Sequence, residues 1–301
     1  MPSPKEVRAN QRKTAAPKKS KPNLGIPARA LIGQLGGACS MTRLYVTIAV
    51  CLAFTSTVSG AQERKSDHGL LIAAAADLNP ALKEIAEQFQ KNSGVPVKLS
   101  FGASGALTQQ IQNGAPFDVF FSADMDYPRQ LIAQGHADAS SLYQYSLGKL
   151  VLWVPASSSL DVERKGMDVL LDPSVKKVAI ANPQHAPYGR AAVAALKHAG
   201  LYDRLTDRLV LGENVSQAAQ FAESGNAQAG FVALAHALSP AIKRKGKFWV
   251  VPGDYYPPLE QGVVIVTRSQ NKKEAAEFLD YLKTKEASGV LRTYGFTLPH
   301  E

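Results

Sequence analysis

The stretch Leu70-Leu71-Ile72-Ala73-Ala74-Ala75-Ala76-Asp77-Leu78-Asn79-Pro80-Ala81-Leu82 decides the fold. Its first half is an unbroken apolar run, the pattern of a strand buried on both faces of a parallel sheet. Its second half changes period: Leu82, Ile85, Ala86 and Phe89 recur at helical spacing, Pro80 suits a first turn that needs no N–H, and Gly94 follows the end. A strand therefore runs straight into a helix. The same transition recurs at Gly102-Ala103-Ser104-Gly105, Ala186-Pro187-Tyr188-Gly189 and Glu213-Asn214-Val215-Ser216. A helix start carries unpaired backbone N–H groups and a partial positive charge, so it can hold an anion without Lys or Arg. Two junctions lie early and two late, which predicts an anion held between two lobes.

Strand and helix patterns alternate outward from this stretch. Val97, Leu99 and Phe101 alternate as a strand, Leu107 and Ile111 mark a helix ended by Gly114, and Val119-Phe120-Phe121 is a third strand. The order predicts an α/β fold with mainly parallel sheets and helices on both faces. Lys149 to Val154 reads as a strand at a first crossover between lobes, and a return crossover is expected between Phe248–Val251 and Gly262–Thr267. Two crossovers make the first lobe discontinuous, residues 62–150 with 262–301, and leave 151–261 with its hinge segments as the second. That is the plan of a hinged binding protein with its ligand in the cleft.

The front of the chain has a different character. Residues 1–40 are rich in Lys, Arg, Pro and Ser without an apolar period and read as a non-native or disordered extension. From Met41 the text is that of a secretory signal: Met41-Thr42-Arg43, the apolar run Leu44 to Val58, and small residues Ser59 and Ala61 ahead of Gln62. Either Met41 is the true start or residues 1–40 form a long basic n-region. The signal predicts a periplasmic protein. The whole chain has 34 basic and 25 acidic residues, a formal charge of +9. Residues 1–61 hold nine of the basic and one of the acidic residues, which leaves 25 against 24 beyond them, a net charge of +1. The basic balance belongs to the leader, so no nucleic-acid partner is expected. Both cysteines, Cys39 and Cys51, lie in the leader, so residues 62–301 carry no disulfide and no thiol chemistry.

Four stretches resemble the periplasmic molybdate-binding proteins of ABC transporters: Ala73-Ala74-Ala75-Ala76-Asp77-Leu78, the run Asn113-Gly114-Ala115-Pro116-Phe117-Asp118-Val119-Phe120-Phe121-Ser122-Ala123-Asp124, Asn182-Pro183-Gln184-His185-Ala186-Pro187-Tyr188-Gly189, and Arg292-Thr293-Tyr294-Gly295-Phe296. The resemblance implies a two-lobed type II periplasmic-binding-protein fold. It also implies a molybdate or tungstate ligand, delivery to the permease subunits of the transporter, no cofactor and a monomer. It places the anion ligands at Ala76, Asp77 and Ser104 in the first lobe and at Tyr188 and Val215 in the second. Two positions depart from the family pattern. Some members have a hydroxyl or amide side chain at the position of Asp77, and some use a Tyr hydroxyl where this chain has Ala233.

Other readings stay beside this one. Ser104 could serve only as an N-cap, Val215 as an ordinary buried residue, His185 as structural and Arg190 as a solvent-facing charge. Tyr255-Tyr256 could ligate ferric iron, although Pro257-Pro258 and the nearby crossover favour a hinge. A sulfate carrier is a further alternative. A hydrolase is the rival of another class, but Gly102-Ala103-Ser104-Gly105 lacks the spacing of a nucleophile elbow, so no catalysis is expected. An ionised Asp77 would repel a dianion. Its carboxylate is therefore expected to turn into its own helix as an N-cap, leaving only the backbone N–H toward the anion.

Overall fold

The computed structural model describes residues 69–299. The basic extension and the signal-like segment at 41–61 lie outside the described residues. Ten strands form two five-stranded sheets. The first holds β1 (Leu70–Ala75), β2 (Val97–Gly102), β3 (Val119–Ser122), β4 (Tyr143–Gly148) and β10 (Leu259–Ile265), in the order β2-β1-β3-β10-β4. The second holds β5 (Leu150–Pro155), β6 (Val178–Ala181), β7 (Leu209–Gly212), β8 (Ala229–Ala233) and β9 (Gly246–Val250), in the order β7-β6-β8-β5-β9.

Each sheet has a parallel three-stranded core, β2-β1-β3 in one and β7-β6-β8 in the other. In each, one strand runs against its two neighbours: β10 against β3 and β4, and β5 against β8 and β9. These reversed strands are the ones beside the crossovers, so each sheet is mixed and mainly parallel. The sequence reading did not anticipate β4. Its segment Tyr143-Gln144-Tyr145-Ser146-Leu147-Gly148 is not apolar enough to stand out, and its partner β10 lies more than a hundred residues away.

Helices cover both faces. They are α1 (Asn79–Ser93), α2 (Ser104–Gln112), α3 (Asp126–Ala133), α4 (Val162–Lys165), α5 (Pro187–His198), α6 (Tyr202–Leu205), α7 (Val215–Glu223), α8 (Leu234–Leu238), α9 (Lys272–Leu282) and α10 (Lys285–Thr293). A 3-10 turn, Ala76–Leu78, joins β1 to α1. In the first lobe, Leu82, Ile85 and Phe89 of α1 pack with Phe278 and Leu291 of the last two helices on one face of the sheet. Leu107 and Ile111 of α2 pack with Phe120 and Leu131 on the other. The helix ends follow local rules: Gly94 closes α1 in a left-handed conformation, with φ of 72°.

The crossovers lie side by side. The Leu150 N–H donates to the Tyr256 hydroxyl at 3.0 Å, so the return segment is tied to the outgoing one. Tyr256 is buried, while Tyr255 stacks on His198 with centroids 4.1 Å apart. The tyrosine pair thus packs beside the two crossovers. No group of three His, Cys, Asp or Glu suited to a metal occurs among the described residues.

Candidate functional site

The four strand–helix junctions meet at one small cavity of about 10 Å³. Ala76, Asp77 and Ser104 line it from the first lobe, and Tyr188 and Val215 from the second. Ala123 and Asn214 also contribute. Pockets for organic molecules run to roughly 300 Å³ and above. This one suits a small ion. Among the described residues that line it there is no Lys, Arg or His, so attraction for an anion must come from N–H dipoles and hydroxyls.

Local chemistry sets each group. Asn214 caps α7: its side chain accepts from the Gln217 N–H at 3.1 Å, and Gln217 Oε1 accepts from the Glu213 N–H at 2.7 Å. Val215 follows the cap directly, in the first turn where N–H groups lack intrahelical partners. Tyr188 is the second residue of α5, behind Pro187, and also lies in a first turn.

Ser104 is not an N-cap. Ala103 occupies that position without a side-chain bond, and Ser104 is the first residue of α2. Its Oγ accepts from the Ala123 N–H at 3.0 Å. That contact uses a lone pair and leaves the hydroxyl hydrogen free to donate. Ser104 is 1 % exposed and lines the cavity, into which that hydrogen can point.

Asp77 departs from expectation. The turn begins one residue earlier, with Ala75 as the N-cap and no side-chain capping bond, so the carboxylate does not serve as an N-cap. It reaches instead to the first lobe's reversed strand, where Gln261 Nε2 donates to Oδ2 at 2.5 Å. Gln261 Nε2 also stands 3.4 Å from the Tyr188 hydroxyl, and Gln261 Oε1 accepts from the Tyr145 hydroxyl at 2.8 Å and from Ser146 Oγ at 3.3 Å. The Gln261 amide is fully engaged and fixes the cluster. Asp77 Oδ1 is buried without a hydrogen-bond partner. Burial pushes the Asp77 carboxyl up to about 6, against hydrogen bonds from Gln261, Tyr188 and the local backbone that pull it down. Burial likewise raises the Tyr145 and Tyr188 hydroxyls well above their ordinary range, with the Asp77 charge adding to the effect.

The lobes touch directly around the cavity. The Gly105 N–H donates to the His185 carbonyl at 2.9 Å. Arg190 on α5 pairs with Asp124 of the first lobe and donates to the Tyr127 hydroxyl at 3.0 Å. Ser216 Oγ donates to the Ala76 carbonyl at 3.0 Å and lies 2.7 Å from His236 Nε2. Burial pushes the His236 imidazole down to about 4, which keeps it neutral, and Nδ1 has no hydrogen-bond partner. With no acid on Nδ1, Ser216 and His236 do not form a Ser-His-acid triad. Ala233 is buried at the start of α8 and does not line the cavity. Sequence reasoning missed the roles of Arg190, Asp124, Ser216 and Gln261, because each acts through a partner distant in the chain.

Residues 70–297 match the family model described as bacterial extracellular solute-binding protein. The molybdate-binding protein ModA of Azotobacter vinelandii is 41% identical over 227 residues, which span 75% of this chain and 89% of that protein. The ModA of Rhodobacter capsulatus is 37% identical over 256 residues, 85% of this chain and 99% of that protein. The solved structure of the Azotobacter vinelandii periplasmic molybdate-binding protein superposes with a TM-score of 0.73 at 40% identity, covering 77% of this chain and all (100%) of that one. The match agrees with a two-lobed α/β fold, and the chain belongs to the bacterial extracellular solute-binding protein family.

Proposed function

We propose that the chain captures molybdate, with tungstate as an equivalent cargo, and delivers it to the permease of an ABC transporter. The observation that carries this reading is the small cavity in which helix starts from both lobes converge and no cationic side chain intervenes. Ala76, Asp77, Tyr188 and Val215 supply backbone N–H groups, and Ser104 adds a hydroxyl. Neutral donors suit a tetrahedral dianion that brings no proton of its own. The relatives named as molybdate-binding proteins support the choice of oxyanion.

The protein works as a monomer without a cofactor and performs no catalysis. It resides in the periplasm, reached through the signal at 41–61. No helix among the described residues is long and apolar enough to cross a membrane.

Calorimetric titration of the chain from Gln62 onward with molybdate, tungstate, sulfate, phosphate and ferric citrate tests this reading. Molybdate and tungstate are expected to bind with similar affinity, sulfate more weakly because it is smaller, and ferric citrate not at all. Equal affinity for sulfate and molybdate would remove the size argument.

A further inference from the structure

The remaining unexplained group at the site is the Asp77 carboxylate. It belongs to a residue that lines the cavity, is 1 % exposed, and has one oxygen without any hydrogen-bond partner. No cation offsets it. Around it stand the neutral amide of Gln261 on β10, the Tyr145 hydroxyl on β4 and the Tyr188 hydroxyl on α5, with Tyr256 beyond Tyr188. From α7 and α8, which also pack on this turn, come Ser216 and the neutral imidazole of His236.

An ionised carboxylate buried beside a bound dianion repels it strongly. The carboxyl is held close to the site, because Gln261 fixes Oδ2 and Oδ1 is buried without a partner. A proton on the carboxyl removes the repulsion and gives the orphan oxygen's group a donor.

We propose that Asp77 couples capture to protonation: the closed cleft holds the dianion beside a neutral Asp77 carboxyl, and one proton is taken from solvent for each anion bound. The inference rests on the anion-site reading above. It makes Asp77 a specificity-determining residue whose donor exists only when protonated. The raised titration range of the buried carboxyl supports the same direction before any anion is added. In the open protein Tyr188 withdraws with its lobe and water reaches Asp77, so the carboxyl ionises again and the proton leaves with the anion.

Calorimetry with molybdate between pH 6 and 8, in pairs of buffers that differ in ionisation enthalpy, counts the protons directly. Near pH 7 the expected uptake approaches one per anion, and Kd should rise toward tenfold per pH unit. In Asp77→Asn, which keeps an acceptor for Gln261, uptake should fall to zero and the pH dependence should flatten. Binding by the unaltered protein without proton uptake, flat from pH 6 to 8, would overturn the inference and leave the anion site standing. Absence of heat with molybdate, tungstate and sulfate at every pH would remove the site reading and this inference together. The count on the unaltered protein decides the matter even where Asp77→Asn fails to fold.

Discussion

Gly105 and His185 meet backbone to backbone across the cleft, the N–H of one donating to the carbonyl of the other at 2.9 Å. A Cβ on Gly105 would stand 2.8 Å from the Tyr127 hydroxyl, 2.9 Å from His185 Cβ and 3.0 Å from the His185 carbonyl. Glycine at this position is what lets the lobes approach. Gly105→Val is therefore expected to hold the cleft ajar and to weaken molybdate binding at least tenfold. Small-angle scattering should show that the ligand-induced contraction of the normal protein is lost. An unchanged affinity would mean that closure does not pass through this contact.

Ser104→Ala removes a hydroxyl that accepts from the Ala123 N–H and is free to donate into the cavity. A hydrogen bond to a charged group is worth about 1.5–3 kcal/mol, so affinity should drop by one to two orders of magnitude in a calorimetric titration. Thermal stability without ligand should drop as well, because the buried Ala123 N–H loses its acceptor. A fall in stability alone would assign Ser104 a purely structural part.

The Arg190–Asp124 pair lies at the rim, where both side chains keep partial contact with solvent. Pairs of this kind contribute about 0.2–1 kcal/mol and weaken with salt. Arg190→Ala should reduce anion affinity by less than about tenfold, and raising ionic strength should shrink the difference. A loss independent of salt would point to packing of Arg190 over the Tyr127 ring instead, 5.5 Å away.

Asp77 also leaves a mark on the stability of the ligand-free protein. Its folded-state titration is raised from 3.8 to about 6. For a carboxyl raised in this way, stability is fully present below the unfolded value and is lost as pH rises through the folded one. Denaturant unfolding should show a decline between pH 4 and pH 6 on the order of 3 kcal/mol from this group. Asp77→Asn should abolish that component and be the more stable protein at pH 8. His236 acts with opposite sign: its lowered range makes its contribution present above pH 6.5 and lost as pH falls through about 4.

The four junctions were legible because helix initiation is a local matter. The change of period at Leu70–Leu82 and the Asn214–Gln217 pattern are written within a few residues of one another. The side-chain network of the site was not, because its pairs lie far apart in the chain. Gln261 stands 184 positions from Asp77, and Arg190 stands 66 from Asp124. The misreading of Asp77 has a narrower cause. One residue decides between a cap and a first turn, and the preference of Asp for the cap lost to a turn that begins at Ala76.

The position of β10 between β3 and β4 has a consequence for how the chain comes to be folded. The second sheet uses one continuous stretch, Leu150 to Val250, so it can close as soon as that stretch exists. The first sheet cannot: β3 and β4 are joined only through Leu259–Ile265, and its core also needs Phe278 and Leu291. During synthesis, which proceeds from the N-terminus, the lobe begun first is thus finished last. Until Leu259–Ile265 is made, β4 has no strand to pair with in this sheet, and until the last two helices follow, α1 lacks Phe278 and Leu291 to pack against, so the nascent first lobe is held short of its native state.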